Sequence, residues 1–421
     1  MIIGISVVIV LLLLASGMEI GIAMGLAGIL LLLFHVNIPI SVISHEVLNA
    51  VDSYTLLAIP FFILAGNLMM EGRLADRLMD FFGSFMRFIR GGLGVGAMLA
   101  SVFFAAISGS SVASAAALSK TITESLQKEN YAKNFTAGIV AVGGTLGLMI
   151  PPSLTFILIG TMIGIPVRDL FVAGITPGIL EGLLLIFMTY FISRKYKYGY
   201  KRKVKMREVS SSFGKSSAAI LLPIIILGGI YLGIFTPTEV SVVAAIYALF
   251  VCVFIYKSIK LVKLPKIIKD TIYSTSMIYL VLIGGTLLSF ILTRLGVANT
   301  ILSFIQGMDL PVWGFLLLIN VVLLALGMFL DGISLIVILA PLLFPVASGM
   351  GINPIHFAVI MVANIEIATI TPPVGLNLYV VSGVSKLKVS DVVKGVIPFY
   401  FVRLAGLLLI TFIPTLSLWL L

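Results

Sequence analysis

The sequence predicts an all-α membrane protein with many crossings, and three observations carry that prediction. Sixty per cent of the 421 residues are hydrophobic and only 10% are charged, against about 25% charged in a soluble domain. Long apolar runs recur along the whole chain, and the mean hydropathy is +1.21. Two similar stretches, 221 positions apart, each contain a Pro-Pro pair, Pro151-Pro152 and Pro372-Pro373. Repeated broken helices of this kind are typical of secondary transporters.

Apolar length predicts eight membrane spans and one surface helix. The spans are expected near residues 1–16, 20–36, 54–72, 170–193, 218–235, 239–256, 272–293 and 396–420. The first lacks a basic start and a cleavage site, so it is interpreted as a retained span and not as a signal peptide. Residues 73–90 alternate charged with apolar side chains at helical spacing, which predicts an amphipathic helix in the membrane interface.

The net charge of +10 lies mainly in residues 194–207 and 257–269. This is the pattern of cytoplasmic loops under the positive-inside rule, and contact with membrane lipids is compatible with it. It is not a nucleic-acid signal. The helix pair 218–256, which turns at Pro237, therefore begins and ends in the cytoplasm. We interpret residues 1–421 as a single membrane transport subunit in which this pair links repeat one (about 50–195) to repeat two (about 270–421).

Two apolar stretches are interrupted at their centres by small or polar residues. Residues 92–127 contain Ser108-Gly-Ser-Ser111, and residues 311–349 contain Leu330-Asp-Gly332. Each arm has about 16 residues, or about 24 Å of helix, which is short for a full span. We interpret both as re-entrant helical hairpins with tips near the midplane, because a turn at the membrane surface usually carries more charge. The alternative is two ordinary pairs of spanning helices.

Residues 133–165 and 354–386 are each too long for one straight span and too short for two. The Pro-Pro pairs remove backbone donors and break these helices. Carbonyls of the preceding turn then need partners, because no water is available there. Bound Na⁺ and Ser or Thr hydroxyls are the alternatives, and two breaks at equal distance from two hairpin tips favour the ion. A one-residue gap near Val167 and Val389 keeps the sequences of the two repeats aligned.

Crossing parity predicts that the repeats are inverted. A hairpin contributes zero or two crossings, so repeat one crosses an odd number of times whichever interpretation of the hairpins holds. Because repeat one ends in the cytoplasm, it begins outside, whereas repeat two begins in the cytoplasm. The argument fails if a broken span is really two crossings.

Each repeat is expected to hold one Na⁺ site, so at least two ions bind. Unwound backbone carbonyls and tip hydroxyls supply the oxygens. In repeat one the candidate ligands are Ser108, Ser111, Gly147, Ile150 and Pro152. In repeat two they are Gly332, Ser334, Ala368, Thr369, Thr371 and Pro373. The helix N-termini that follow each break point positive ends inward, which suits an anionic solute.

Charged residues within apolar segments are functional candidates because burying them is costly. Asp331 has more than a dozen uncharged residues on each side, and the alternatives are a solute or ion role and an N-cap for the second hairpin arm. Glu366 and Glu181 are further intramembrane carboxylates, and Glu366 either tunes the ion site or has a structural partner. Arg403 is interpreted as an interfacial anchor.

Four motifs carry a family resemblance: SGSS at 108–111, GGTLGLMIPPS at 143–153, LDGISLIVILAPLLFPV at 330–346 and ITPPVGLNLYV at 370–380. In this order and spacing they resemble the large membrane subunit of tripartite ATP-independent periplasmic (TRAP) transporters, over essentially the whole chain. Hairpin one departs from the pattern, because no proline follows SGSS. The resemblance implies solute contacts at Ser110, Asp331 and Thr155.

The resemblance also implies Na⁺-coupled uptake by an elevator movement in the bacterial inner membrane. The solute would be a C4-dicarboxylate, a sialic acid or a similar sugar acid, delivered by a periplasmic binding protein. A small four-helix membrane subunit is expected as a separate chain. The main alternative is a stand-alone inverted-repeat Na⁺/anion symporter. An ion channel would need a ring of polar residues and symmetry between subunits. A membrane-embedded enzyme would need a nucleophile with its base, a zinc motif or a carboxylate dyad. Neither set of features stands out in the sequence.

Overall fold

A computed structural model describes residues 9, 12–13, 16–35, 39–201 and 206–421. The predicted first span, 1–16, lies mostly outside them. Every regular element in these ranges is a helix. In chain order they are α1 (Ile20–His35), α2 (Ile40–Asn49), α3 (Ala58–Glu71), α4 (Leu74–Met86), α5 (Gly92–Ser108), α6 (Ser111–Gln127), α7 (Lys133–Gly143), α8 (Leu154–Ile163), α9 (Val167–Lys195), α10 (Met206–Tyr231), α11 (Pro237–Phe250), α12 (Leu264–Arg294), α13 (Val297–Gly307), α14 (Val312–Gly327), α15 (Gly332–Gly349), α16 (Pro354–Ala368), α17 (Leu376–Ser385), α18 (Val389–Phe412) and α19 (Thr415–Leu418).

Seven helical segments within the described residues are long and apolar enough to cross a membrane. They are Tyr54–Glu71, Val167–Lys195, Arg207–Tyr231, Pro237–Ile255, Leu261–Arg294, Gly332–Gly349 and Val389–Phe412. These segments include short 3-10 or π turns adjoining the α-helices, such as Tyr54–Leu57 and Val251–Ile255. The prediction of an all-α polytopic membrane protein is therefore confirmed.

The interrupted segments fold as helices that end at the predicted interruptions. Residues 92–127 form two arms, α5 and α6, and residues 311–349 form α14 and α15, with 16 to 18 residues in each arm. Unlike the short arms that were expected, α15 is one of the seven segments long enough to cross a membrane. We call these pairs hairpin one and hairpin two. Residues 133–165 fold as α7, a 3-10 turn (Gly144–Leu148) and α8, and residues 354–386 fold as α16 and α17. We call Met149–Ser153 break one and Thr369–Gly375 break two.

Seven helices recur in the same order in the two parts of the chain, α3 to α9 and α12 to α18. The extra residue of the second series does not lie near Val167 and Val389, as the sequence comparison placed it. It lies within the break itself, because α8 starts two residues after Pro152 and α17 starts three after Pro373. The additional residue lets Gly375 precede α17 with a positive φ of 44°.

Two helices were not predicted, and three begin seven or more residues earlier than expected. The short helices α2 and α13 are the unpredicted ones. Helix α10 begins at Met206 instead of near 218, α12 at Leu264 instead of near 272, and α18 at Val389 instead of near 396. Each start carries Lys or Arg residues, which a hydropathy criterion assigns to loops although they favour helix.

The two breaks lie in a central group of helices. Hairpin one contacts α7 and α17, hairpin two contacts α8 and α16, and α9 packs on α16 and α18. Close contact between α7 and α18 depends on glycine, because a Cβ on Gly395 would overlap the carbonyl oxygen of Asn134. A second group, formed by α1, α3, α10, α11 and α12, packs on the first mainly through α4 against α5 and α12 against α15, with smaller contacts of α3 and α10 with α5.

Candidate functional site

The tip of hairpin one is a two-residue turn between α5 and α6. Gly109 turns the chain with φ of 62°, a conformation that glycine adopts without strain. Ser110 then caps α6, because its hydroxyl accepts the Ala113 N–H at 3.4 Å. Ser108 and Ser111 are buried, whereas Ser110 is partly exposed. The tip therefore keeps two hydroxyls inside the protein.

Break one lies against this tip. A Cβ on Gly109 would lie 2.9 Å from the Pro152 carbonyl oxygen. A Cβ on Gly147, just before break one, would overlap the carbonyl oxygen of Ala105. Glycine at both positions therefore lets the two backbones touch. Hairpin one thus lies close to Pro152 and Gly147, and an ion site shared with Ser108 and Ser111 stays a prediction. The Ile150 side chain points toward α9, since a Cβ on Gly178 would lie 2.5 Å from it, which does not bear on the predicted role of its carbonyl oxygen.

Thr155 is turned toward the backbone of break one. Its hydroxyl donates to the Leu148 carbonyl at 2.9 Å and lies 2.6 Å from the Ser153 hydroxyl. Ser153 caps α8 by accepting the Phe156 N–H at 3.3 Å. Thr155 is 1% exposed, so in this conformation it satisfies a carbonyl that the break leaves without a helical partner. Its solute contact stays a prediction.

The tip of hairpin two is closed by Asp331. The carboxylate accepts the N–H groups of Ile333 at 3.0 Å and Ser334 at 3.3 Å, and the Ser334 hydroxyl also donates to it. Asp331 is therefore the N-cap of α15, which was one of its two predicted roles. The side chain is only partly buried, and the neighbouring Phe329 is exposed. The cap and a solute role at this open tip are compatible.

Break two lies against hairpin two. The Thr369 and Thr371 hydroxyls donate to the carbonyls of Glu366 (2.7 Å) and Ile367 (2.6 Å), so each keeps lone pairs available. The Val374 N–H donates to the carbonyl of Met328 near the tip, at 3.2 Å. On the same side, Ala368 packs on Gly327. Hairpin two thus packs on the segment that ends in Ala368 and break two, whereas Pro373 is exposed. A shared ion site of Gly332, Ser334, Ala368, Thr369 and Thr371 stays a prediction.

Asn377 connects the two candidate sites, and sequence reasoning missed it. Its Nδ2 donates to the Ser111 hydroxyl at 2.6 Å and to the Ala141 carbonyl at 2.9 Å, while its backbone N–H donates to the Thr369 carbonyl at 3.1 Å. Asn377 is 0% exposed, and its Oδ1 has no partner among the described residues. As second residue of α17 it corresponds to Thr155 in α8, a match that the misplaced gap concealed.

Two helices of repeat two and one helix of repeat one meet at a buried cluster of three charged side chains. Arg403 Nη1 on α18 lies 2.5 Å from Glu181 Oε2 on α9, and Nη2 contacts the carboxylate of Glu366 on α16. All three side chains are 0% exposed. The prediction of Arg403 as an interfacial anchor is therefore wrong, because its guanidinium contacts two carboxylates inside the protein. Glu366 has the structural partner that was its alternative.

Neutral oxygen atoms lie around Asn377: the Ser111 hydroxyl, the Ala141 and Thr369 carbonyls and the side-chain amide itself. Such hard, uncharged donors suit an alkali cation better than a transition metal. The unpartnered Asn377 Oδ1 is a buried acceptor in need of a positive partner. The donor set therefore fits the predicted Na⁺.

Comparison with known proteins gives the family. The chain is 40% identical to the C4-dicarboxylate TRAP transporter large permease protein DctM of Pseudomonas aeruginosa, over 94% of this chain and 93% of that protein. It is 34% identical to the sialic acid TRAP transporter large permease protein SiaM of Vibrio cholerae, over 96% and 95%. The solved structure of the Alcanivorax borkumensis YdaH transporter covers 85% of this chain and 86% of its own, with a TM-score of 0.52 at 13% identity, which shows likeness of fold alone. Residues 7–416 match the family model described as "Tripartite ATP-independent periplasmic transporter, DctM component". The chain belongs to this family.

Proposed function

We propose that the chain is the permease subunit of a Na⁺-coupled importer of an acidic organic solute. The observation that carries the proposal is the junction at Asn377, where hairpin one, the α7 backbone and break two offer neutral oxygens beside one unpartnered buried acceptor. Ions at the two breaks would bind the predicted ligand sets of each repeat. Because those ligands belong to different helices, ion binding would hold hairpin and break together.

The solute would bind between the hairpin tips. Helices α8 and α17 both start at the breaks, so their positive N-terminal ends lie beside the junction and favour a carboxylate. Ser110, Thr155 and Asp331 are the proposed solute contacts. Two relatives are named for C4-dicarboxylates and for sialic acid, and these solutes share an ionised carboxyl group. A carboxylate anchor is therefore the chemistry that we assign to the site.

Two partners belong to the proposal, a small four-helix membrane subunit and a periplasmic binding protein that delivers the solute. In this scheme the repeats are inverted, and the hairpins are re-entrant. The central helices, which include both hairpins and both breaks, would move across the membrane against α1, α3 and α10–α12. Such a movement would slide along the contacts of α4 with hairpin one and of α12 with hairpin two.

The experiment is solute uptake into proteoliposomes that contain this chain and its small subunit. We expect uptake only with Na⁺ outside and with the solute-loaded binding protein, and no need for ATP. Replacing Na⁺ by choline at equal ionic strength controls for screening. Uptake that persists in choline would refute Na⁺ coupling, and uptake of free solute without the binding protein would support the stand-alone symporter.

A further inference from the structure

The buried cluster Glu181–Arg403–Glu366 joins the halves at equivalent positions. Glu181 and Arg403 are 222 residues apart, the displacement that separates the starts of α9 and α18. Equivalent positions of two repeats touch only where the repeats meet. Charged groups buried in this way cost desolvation energy and seldom stabilise more than apolar residues would. Three of them at this junction therefore call for a role besides stability.

On one side the cluster leads to break two. Glu366 lies in the last turn of α16, and its carbonyl accepts the Thr369 hydroxyl at 2.7 Å. The adjacent Ile365 packs on hairpin two, because a Cβ on Gly332 would lie 2.5 Å from its side chain. A displacement of Glu366 would therefore move both a proposed Na⁺ ligand and the contact with the hairpin tip.

On the other side the cluster leads to break one. Gly178 and Gly174 precede Glu181 on α9 by one and two turns. A Cβ on Gly174 would lie 2.6 Å from the Met149 carbonyl oxygen, and a Cβ on Gly178 would lie 2.5 Å from the Ile150 side chain. The backbone of α9 is thus in direct contact with break one, and a displacement of Glu181 along its helix would reach the first ion site.

Arg403 is shared, which makes the two displacements dependent on each other. Its Nη1 binds Glu181 and its Nη2 binds Glu366, so a guanidinium of fixed planar geometry fixes the spacing of the two carboxylates. Each carboxylate leaves Oε1 without another partner among the described residues. If either glutamate moves, Arg403 must follow it or lose a buried contact, and the second glutamate is affected.

We infer that this cluster is a positioning device that couples the two Na⁺ sites, so that an ion bound at one break favours the geometry that binds an ion at the other. The inference rests on the proposed function. The cluster touches neither ion nor solute and acts through α9 and α16. Its effect therefore concerns cooperativity between ions rather than solute recognition.

The test is the Na⁺ dependence of uptake in the complete reconstituted system. Glu181→Gln and Glu366→Gln keep the shape of the side chain but weaken its bond to Arg403. We expect the Hill coefficient for Na⁺ to fall from near two toward one, and the half-saturating Na⁺ concentration to rise by about 5-fold or more, as for the weaker allosteric couplings. Arg403→Lys, which keeps the charge but not the two-pronged geometry, should give an intermediate Hill coefficient.

Thr411→Val is the matched control. Thr411 is buried two turns after Arg403 on α18, and its hydroxyl accepts a hydrogen bond from Asn320 at 3.0 Å, but it lies outside the cluster. This variant loses a buried polar contact and should keep the wild-type Hill coefficient. An unchanged coefficient in both glutamine variants overturns the inference, as does a wild-type coefficient of one. If both glutamine variants fail to fold while Thr411→Val folds, the cluster serves assembly and the inference is also wrong. Wild-type uptake without Na⁺ dependence would instead refute the proposed function.

Discussion

A single carboxylate closes the start of α15 at the tip of hairpin two. Asp331 was predicted because an isolated charge in an apolar run is costly unless it has partners. The structure supplies these partners from its own turn, the N–H groups of Ile333 and Ser334 and the Ser334 hydroxyl. The cost of the charge is thereby offset locally, and the tip acquires a defined geometry. A solute that binds at the tip would meet a turn that Asp331 holds in place.

Removing this cap should stop transport without preventing insertion. We expect Asp331→Ala to abolish uptake, because loss of an N-cap costs about 1 kcal/mol of helix stability and frays the tip. Asp331→Asn should retain most uptake, since asparagine caps a helix about as well as aspartate. The measurements are uptake rate and co-purification with the small subunit. Near wild-type uptake by the alanine variant would exclude Asp331 from the site.

Other residues could be predicted only in part from the sequence. Ser108, Ser111, Thr369 and Thr371 were proposed because hydroxyls beside glycines or prolines mark an interrupted helix. Asn377 was missed because an amide in an apolar segment has no distinguishing pattern, and its partner Ser111 is 266 residues away. Arg403 was misinterpreted for a similar reason. Its position at the start of an apolar helix is typical of an anchor, and its partners come from other helices.

At the level of elements, hairpins and broken helices were predictable because the residues that interrupt a helix act locally. A Pro-Pro pair or a Ser-Gly-Ser-Ser turn acts on the adjoining backbone whatever the rest of the fold does. The short helix α2 carries no such signal, and the starts of α10 and α12 are largely exposed and carry basic residues of the kind that loops also carry. Contacts between elements were predicted only where each break meets the tip of its hairpin. At break one the approach is close because glycine leaves space there.

Gly147 gives a direct test of this contact. An alanine at Gly147 would place its Cβ against the Ala105 carbonyl and push hairpin one from break one. We expect Gly147→Ala to raise the Na⁺ concentration for half-maximal uptake and to lower the melting temperature. Gly182→Ala on α9 is the control, since its nearest neighbour would be Leu146 Cδ1 at 3.8 Å. Wild-type Na⁺ dependence in Gly147→Ala would show that ions do not need this contact.

At the scale of the whole molecule, the family and the seven candidate spans make the chain a multi-pass protein of the bacterial inner membrane. Its relatives are permease subunits, which excludes the alternative of a membrane-embedded enzyme. The order of helices repeats, but order alone does not fix direction. The direction of each repeat across the membrane is predicted from the positive-inside rule and from crossing parity. An experiment can test the predicted inversion.

Cysteine labelling tests the inversion, because the chain has one cysteine, the buried Cys252, which can first be replaced by serine. Lys128 follows hairpin one and Met350 follows hairpin two. With inverted repeats, a membrane-impermeant thiol reagent added outside should label Met350→Cys and not Lys128→Cys. Thr236→Cys, in the turn before α11, should react from outside and Lys257→Cys only from inside, which fixes the orientation of the linking pair. Labelling of Lys128→Cys and Met350→Cys from the same side would show that the repeats are parallel. The proposed arrangement of the two ion sites, which requires inverted repeats, would then be wrong.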